Sequence, residues 1–342
     1  MSFGLFVFCA VLIAAVLLFS VGAVIAGKTK LRRALRPVEY YPPRGYSPID
    51  VLLKVYAKTA NPHALFNPLM LYWAECGFIT IEEDCKRGLK ITKLKPISPS
   101  KHERPDFDCK MNYRAEKTLF DEIFSNGPVF YTLAAETAYE KVYEKFMKTC
   151  KANAKAVNTK KSKAIELAMS ISSVAVLVLI TIIGAIIEHN ALYMAMVFPI
   201  VACIAMRFVP DEMFLKYPFF AVWGGAPFAA VLAFADRGCA ILLGCAFAVA
   251  VLSGYVLARF VDFRTDADVE IYGQICAFKT FLLDAEIDRL ETLVEENPDY
   301  FYDILPYCYV LKITDKLKPK FDKISLDGPS WYLGNMRDTL MF

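Results

Sequence analysis

Long stretches without charged residues are the feature that most constrains this chain. Residues 3–26 contain no charged side chain, and about 20 consecutive apolar residues suffice for a helix to cross the hydrocarbon core of a bilayer. Four more apolar runs follow. Together they predict about five membrane spans, at 3–26, 167–187, 191–206, 218–235 and 239–258. These runs account for a hydrophobic content of 56%, which exceeds the roughly 45–50% of soluble domains.

Basic residues predict how the spans are oriented. They group at one set of span ends, in the clusters 28–36 and 160–163 and at Arg207, Lys216 and Arg259. The opposite ends hold only Arg237. Because cytoplasmic loops carry the excess of Lys and Arg, all five spans agree on an outside N-terminus and a cytoplasmic C-terminus. The first run lacks the basic front of a signal peptide, so we expect a permanent anchor.

The spans divide the chain into four predicted regions. A transmembrane anchor covers 1–27, and a cytoplasmic winged-helix-like α+β domain covers 28–163. A four-helix transmembrane region in two hairpins covers 164–259, and an acidic, aromatic, helical cytoplasmic domain covers 260–342. The expected fold class is therefore a multi-pass α-helical protein of the cell membrane, with its main soluble parts in the cytoplasm.

The winged-helix expectation comes from the order helix, helix, hairpin between residues 47 and 94. Alternating apolar and polar residues around Gly88 predict the hairpin. Four of its cations are candidate interaction residues: Lys86, Arg87, Lys90 and Lys93. The preceding helix, 61–76, has no Arg, Lys or Gln to read base edges. Anionic lipid headgroups or a protein are therefore favoured over nucleic acid as the partner of this hairpin.

The stretch VEENPDYFYDILPYCYVLK (294–312) is too acidic for a bilayer and too aromatic to lie bare in water. Residues 28–163 carry about 26 basic and about 15 acidic side chains, roughly +11, whereas 261–342 carry about 9 and about 16, roughly −7. Such segments attract each other at short range. Tyr300, Phe301 and Tyr307 are predicted either to pack inward against this protein or to form an aromatic surface for a protein partner.

Gly224, Gly225 and Pro227 mark a candidate kink in the fourth span. The functional interpretation is a broken helix that lines a substrate path, and the structural one is a kink filled by a neighbouring helix. None of the spans has a charged residue at its centre, where ion-coupled carriers usually keep one. The sequence also lacks C-x-x-C and the common hydrolase, phosphate-binding and dinucleotide-binding motifs. It predicts no catalytic residue, metal site or cofactor.

Four stretches of the sequence resemble a known family. They are EYYPPRGYSPIDV (39–51), WAECGFITIEE (73–83), FKTFLLDAEIDRLETLVEENPDYFYDILPYCYVLKI (278–313) and the closing WY (331–332). They are similar to the YciQ-like predicted membrane proteins, also called domain of unknown function 2207, over nearly the whole chain. The resemblance implies a multi-pass cell-membrane protein. It implies no reaction, so it supplies no catalytic residues.

The chain departs from that family in three places. Members typically have a signal peptide and a β-rich extracytoplasmic domain ahead of the first span, whereas here the first apolar run begins at residue 3. Members often end in a Gly/Ser-rich tail, and this chain ends in NMRDTLMF. Ala277 stands where they usually carry Gly. Whatever the front domain contributes is expected to be missing or to sit on another chain.

The favoured function is a membrane-anchored interaction, regulatory or scaffold protein, because soluble modules are tethered to spans without central charges. The alternatives are a transporter or channel component, with the 223–227 stretch at its path, and a membrane-tethered nucleic-acid-binding protein. The partners expected are the bilayer, anionic lipid headgroups, and a protein partner or a second copy of the chain.

Overall fold

The computed structural model describes residues 2–32, 38–56, 66–84, 87–97, 113–132, 146, 148, 159–206 and 216–333. The chain folds into two compact units, and each unit combines segments that are distant in sequence. The apolar unit consists of Met1–Lys30 and Asn158–Arg264, and the mixed unit consists of Leu31–Val157 and Thr265–Phe342. The two polar segments that flank the main group of apolar helices therefore share one compact unit.

The elements follow one another in three stretches of chain. The first contains α1 (Phe3–Arg32), α2 (Pro48–Tyr56), α3 (Phe66–Glu75), β1 (Ile79–Asp84), β2 (Gly88–Lys93), α4 (Tyr113–Ile123) and β3 (Val129–Tyr131). The second contains α5 (Lys160–Glu188), a 3-10 turn (Ala191–Met196), α6 (Val197–Ala205), α7 (Lys216–Phe234) and α8 (Arg237–Val251), which continues through a π-helical turn (Leu252–Val256) and a 3-10 turn (Leu257–Phe260). The third contains α9 (Asp266–Asp284), α10 (Ile287–Glu296), α11 (Tyr300–Leu311), α12 (Thr314–Phe321) and β4 (Tyr332–Leu333).

Four helices in the described part of the chain are long and apolar enough to cross a membrane. They are Phe3–Leu31, Lys160–Glu188, Tyr217–Phe234 and Arg237–Phe260. The sequence predicts five spans, and the third of them corresponds to a shorter apolar stretch, Ala191–Ala205. Pro199 explains how this stretch is divided. Proline fits best in the first turn of an α-helix, where its missing N–H has no intrahelical partner. Helix α6 begins two residues before Pro199, and the preceding residues form a 3-10 turn.

Small residues bring the helices of the apolar unit into close contact. A Cβ atom at Gly184 of α5 would overlap the ring of Tyr193, so only glycine fits there. The hydroxyl of Ser170, also on α5, donates to the carbonyl of Gly254 in the π-helical turn at 3.2 Å. Small residues and hydroxyls of this kind allow membrane helices to pack closely.

A four-stranded sheet belongs to the mixed unit, in the order β3-β2-β1-β4. The predicted hairpin is present, since β1 pairs antiparallel with β2 and Ile81 lies opposite Ile91. Gly88 supports the turn with a φ of 78°, a backbone conformation that glycine adopts without steric cost. Strand β4 comes from the C-terminal segment and pairs parallel with β1, with Tyr332 opposite Ile81.

Helix α11 is the central helix of the mixed unit. Every side chain from Tyr300 to Cys308 is buried, and the helix packs against α2 and α3. Trp73 on α3 is also fully buried and meets the ring of Phe120 on α4 edge to face at 5.0 Å. Burial of so many aromatic rings supplies the hydrophobic stabilisation of this unit.

Candidate functional site

The segment after α1 is held in place by two tyrosines of α11. We call residues 38–47 the strap. Tyr300 Oη donates to the carbonyl of Tyr40 at 2.8 Å, and Tyr307 Oη donates to the carbonyl of Tyr46 at 2.9 Å. Both bonds join residues about 260 positions apart. The strap and the C-terminal segment are therefore fixed to each other by paired polar groups inside the mixed unit.

Ring contacts reinforce these two hydrogen bonds. Tyr40 meets Phe281 edge to face with centroids 4.8 Å apart, and Tyr41 meets Tyr300 in the same way at 5.2 Å. The guanidinium of Arg289 lies 5.0 Å from the centre of the Tyr40 ring, within the range of a cation–π contact. The strap thus contacts side chains from α9, α10 and α11.

These contacts place two of the candidate aromatic residues in the interior. Tyr300 is 0% and Tyr307 is 1% exposed. Burial raises the pKa of the Tyr300 hydroxyl above its usual range, so it stays protonated and can donate. Phe301, the third candidate, is 5% exposed and contacts Phe321 of α12 at a centroid distance of 4.6 Å. A protein partner would meet these rings only if the mixed unit opened.

The exposed side of α10 is strongly acidic. Leu290, Leu293 and Val294 turn into the core. The outer side carries exposed carboxylates that we call the acidic face: Asp288, Glu291, Glu295 and Glu296. Positions 288, 291 and 295 are three and four residues apart, so they share one side of the helix. This face is a negatively charged surface next to the strap contact of Arg289.

The described cations of the hairpin contact groups of their own unit. Lys90 forms an ion pair with Glu82 at 2.7 Å, and that carboxylate raises the pKa of the Lys90 ammonium. The guanidinium of Arg87 lies 5.0 Å from the centre of the Tyr131 ring. Lys93 lies 5.1 Å from the centre of the Phe120 ring. The fourth candidate cation, Lys86, lies outside the described residues.

Glu116 on α4 carries a buried carboxyl group that the sequence does not predict. Its Oε1 accepts a hydrogen bond from Trp73 Nε1 at 2.7 Å, and its other oxygen is buried as well. Burial raises the pKa of Glu116 to about 8. At the start of α2, the Asp50 carboxylate accepts hydrogen bonds from the backbone N–H and the hydroxyl of Ser47, at 3.2 and 3.3 Å, and both residues are also buried. No local pattern signals this burial, since EKTLFDE resembles an ordinary amphipathic helix.

The candidate kink residues lie inside one continuous helix. Helix α7 runs from Lys216 to Phe234 with Pro227 in its interior. A Cβ atom at Gly224 would lie 2.8 Å from Ala202 Cβ on α6, whereas one at Gly225 would meet nothing within 4 Å. Gly224 is thus the residue that allows α6 and α7 to approach closely, and Gly225 faces open space.

Within the residues that the structure describes, no group of three or more His, Cys, Asp or Glu side chains could hold a metal ion. A shallow depression between α11 and α12 has an empty volume of about 340 Å³, which includes open solvent. Its lining is mainly apolar and includes Phe301, Cys308 and Phe321, with Lys318 at one side.

The fold and these contacts define a protein whose apolar helices can span a membrane and whose mixed unit is assembled from both flanking segments. Residues 37–321 match the family model described as "Predicted membrane protein (DUF2207) C-terminal domain". Because the match covers most of the chain, the protein belongs to this family of membrane proteins of unknown function, and the resemblance seen in the sequence is confirmed. Neither a curated protein nor a solved structure matches the chain.

Proposed function

We propose that this chain is a membrane-anchored interaction protein. Its apolar helices hold it in the cell membrane, and its mixed unit presents the acidic face of α10 to a basic protein partner in the cytoplasm. The observation that carries the proposal is this exposed face on a unit whose strap is held by hydrogen bonds from the buried residues Tyr300 and Tyr307. A pre-organised surface loses less conformational entropy on binding than a mobile one.

The orientation within the proposal rests on the distribution of basic residues. Lys28, at the end of α1, and Lys160 and Lys161, at the start of α5, are exposed near span ends. Arg259 lies in the last turn of the last span, and Arg237 stands at the other end of that helix. The positive-inside rule then favours an outside N-terminus and a cytoplasmic mixed unit.

A winged-helix-like core is a further part of the proposal. The order α2, α3, β1, β2 supports it, while β3 and β4 extend the hairpin into a four-stranded sheet. Arg87, Lys90 and Lys93 contact rings and a carboxylate of their own unit, which disfavours nucleic acid as the partner of this hairpin.

The test compares two charge variants of the full-length chain in native membranes. In the first, Glu291→Gln, Glu295→Gln and Glu296→Gln remove three charges from the acidic face. In the second, a matched control, Asp121→Asn, Asp322→Asn and Asp327→Asn remove three charges from other exposed positions of the mixed unit.

Each variant is purified after chemical crosslinking, and its co-purifying proteins are quantified by mass spectrometry. We expect the first variant alone to lose a basic protein that the unmodified chain retains in stoichiometric amount. Equal retention by both variants, or equal loss, would show that the acidic face does not select a partner.

A transport function is the second candidate, and one observation favours it. The last span contains a π-helical turn, a feature frequently found at functional sites, and the buried hydroxyl of Ser253 in that turn has no hydrogen-bond partner. Transport would require solute flux in proteoliposomes that Ser253→Ala abolishes without loss of folding. If Ser253→Ala leaves the flux unchanged, the buried Ser253 hydroxyl no longer supports a transport function.

A further inference from the structure

Three segments of the apolar unit converge at one of its ends. The end of α1 meets residues 261–264, since a Cβ atom at Gly27 would lie 2.8 Å from the carbonyl oxygen of Asp262. The start of α5 meets the same segment, because the hydroxyl of Ser162 donates to the carbonyl of Phe263 at 3.1 Å and accepts from its backbone N–H at 2.8 Å. Residues 261–264 therefore hold the end of α1 close to the start of α5.

This convergence groups four exposed lysines, which we call the lysine cluster: Lys28, Lys160, Lys161 and Lys163. Lys28 Nζ lies 5.7 Å from the centre of the Phe260 ring, and Lys161 Nζ lies 4.9 Å from the centre of the Phe263 ring. These distances suit cation–π contacts, in which the ammonium keeps its charge. Because the two rings are three residues apart in the chain, they bring one lysine of α1 and one of α5 to neighbouring positions.

The lysine cluster gives this end of the apolar unit a surplus of positive charge. The stretches that meet here are residues 27–31, 159–166 and 257–264. Their acidic side chains are Asp262 and Glu166. Asp262 is balanced by Arg264, whose Nε and Nη2 donate to its carboxylate at distances of 2.7 to 3.0 Å. The remaining carboxylate, on the half-buried Glu166, does not offset four lysines.

The length of α5 relates the cluster to the membrane surface. The helix has 29 residues and begins at Lys160, so at about 1.5 Å per residue it is about 44 Å long. This length exceeds the hydrocarbon core of about 30 Å and matches a bilayer with its headgroup layers, about 40–45 Å. When α5 spans a bilayer, the lysines at its start lie in the headgroup layer of one leaflet. The other end of α5 is acidic, since Glu188 accepts a hydrogen bond there from the backbone N–H of Asp236.

We propose that the lysine cluster binds the headgroups of anionic phospholipids. The attraction acts between the net charge of the cluster and the phosphates of the surrounding leaflet, so it does not require a hydrogen-bond donor without a partner. The ring contacts of Lys28 and Lys161 hold two of the ammonium groups in place, which reduces the side-chain entropy lost on binding. This surface is separate from the acidic face of α10, and the proposal does not depend on the partner of that face.

The test is a lipid titration of the purified full-length chain in detergent, measured by native mass spectrometry. Phosphatidylglycerol is the anionic probe and phosphatidylcholine the zwitterionic one, and we expect the unmodified chain to prefer phosphatidylglycerol. Lys28→Gln combined with Lys161→Gln should weaken phosphatidylglycerol binding at least about tenfold, because each lysine near an anionic lipid surface contributes about fivefold. Lys28→Arg combined with Lys161→Arg keeps both charges and should retain the binding.

A matched control removes two exposed lysines from the mixed unit. Lys316→Gln combined with Lys323→Gln changes the net charge by the same amount and should leave phosphatidylglycerol binding unchanged. If the first variant fails to fold, Lys160→Gln combined with Lys163→Gln takes its place. These two side chains belong to the same cluster, so the same loss of binding is expected.

Three results would overturn the proposal. The first is phosphatidylglycerol binding that the cluster variant leaves unchanged, or that the cluster variant and the control weaken equally. The second is equal affinity of the unmodified chain for phosphatidylcholine and phosphatidylglycerol. The third is displacement of the lipid by inorganic phosphate at equal concentration, which would assign the cluster to a soluble anion.

Discussion

Replacement of Tyr300 or Tyr307 by Phe should release the strap. Each change removes one hydroxyl and leaves a partly buried carbonyl, at Tyr40 or at Tyr46, without this donor. A buried hydrogen bond contributes about 0.5–1.5 kcal/mol, and a carbonyl left without its partner costs about 1–3 kcal/mol. We therefore expect each variant to favour local opening of the strap by roughly 1–2 kcal/mol.

Amide hydrogen exchange on the purified chain measures this opening residue by residue. A change of about 1.4 kcal/mol corresponds to a tenfold change in the opening equilibrium, so exchange in residues 38–47 should rise about tenfold in each single variant. The two tyrosines bond to carbonyls six residues apart, and the double variant should show effects that add approximately.

Tyr302→Phe is the matched control from the same helix. Its hydroxyl donates to the carbonyl of Asp327 at 2.6 Å, away from the strap. This variant should lose comparable stability without faster exchange in residues 38–47. Unchanged exchange in the Tyr300 and Tyr307 variants, or an equal rise in the control, would refute the account of the strap.

Three further changes test other parts of the structure. Gly224→Ala should lower the free energy of unfolding of the detergent-solubilised chain by about 1–3 kcal/mol, because the added Cβ would lie 2.8 Å from the Cβ of Ala202. Gly225→Ala should not lower it, because a Cβ there meets nothing within 4 Å. Glu116→Gln should remove a pH dependence of stability. Since the folded pKa of Glu116 is about 8 against an ordinary 4.5, the free energy of unfolding of the unmodified chain should fall by a few kcal/mol as pH rises from 4.5 to 8. If urea unfolding gives the variant the same dependence of that free energy on pH, this role of Glu116 is disproved. Lys320→Met should cost about 1–2 kcal/mol, because the ammonium donates to the carbonyls of Leu283 and Ala285 at 2.7 Å each; an equal loss for the exposed Lys323→Met would contradict that role.

Sequence patterns predicted those features that depend on neighbours along the chain. The absence of charge over 3–26 predicts a long apolar helix because no bilayer-spanning segment tolerates unpaired charges cheaply, and α1 covers it. The alternation around Gly88 likewise predicts the hairpin, because successive residues of a strand face opposite sides. Each of these two patterns lies within one short stretch of the sequence.

Features that depend on distant residues could not be read in this way. The parallel pairing of Tyr332 with Ile81 joins positions about 250 residues apart, and no local pattern encodes such a partner. The sequence predicted attraction between the basic and acidic segments from their net charges. The structure joins them by tyrosine bonds, by strand β4 and by the ion pair of Lys54 with Asp268, all of which require specific geometry.

The count of spans shows a limit of length-based reasoning. Residues 191–206 are apolar, but the run is short and contains a proline, and the structure forms a 3-10 turn followed by a nine-residue α-helix. Hydropathy alone does not record this division.

The most direct test of the proposed function is site-specific photo-crosslinking in native membranes. A photoreactive amino acid is placed at Glu291 on the acidic face and, in a second chain, at Asp322, which is exposed elsewhere on the mixed unit. The account predicts one stoichiometric crosslinked protein, rich in basic residues, from position 291 and none from position 322. Equal products from both positions, or none from position 291, would contradict the view that this chain is a membrane-anchored interaction protein.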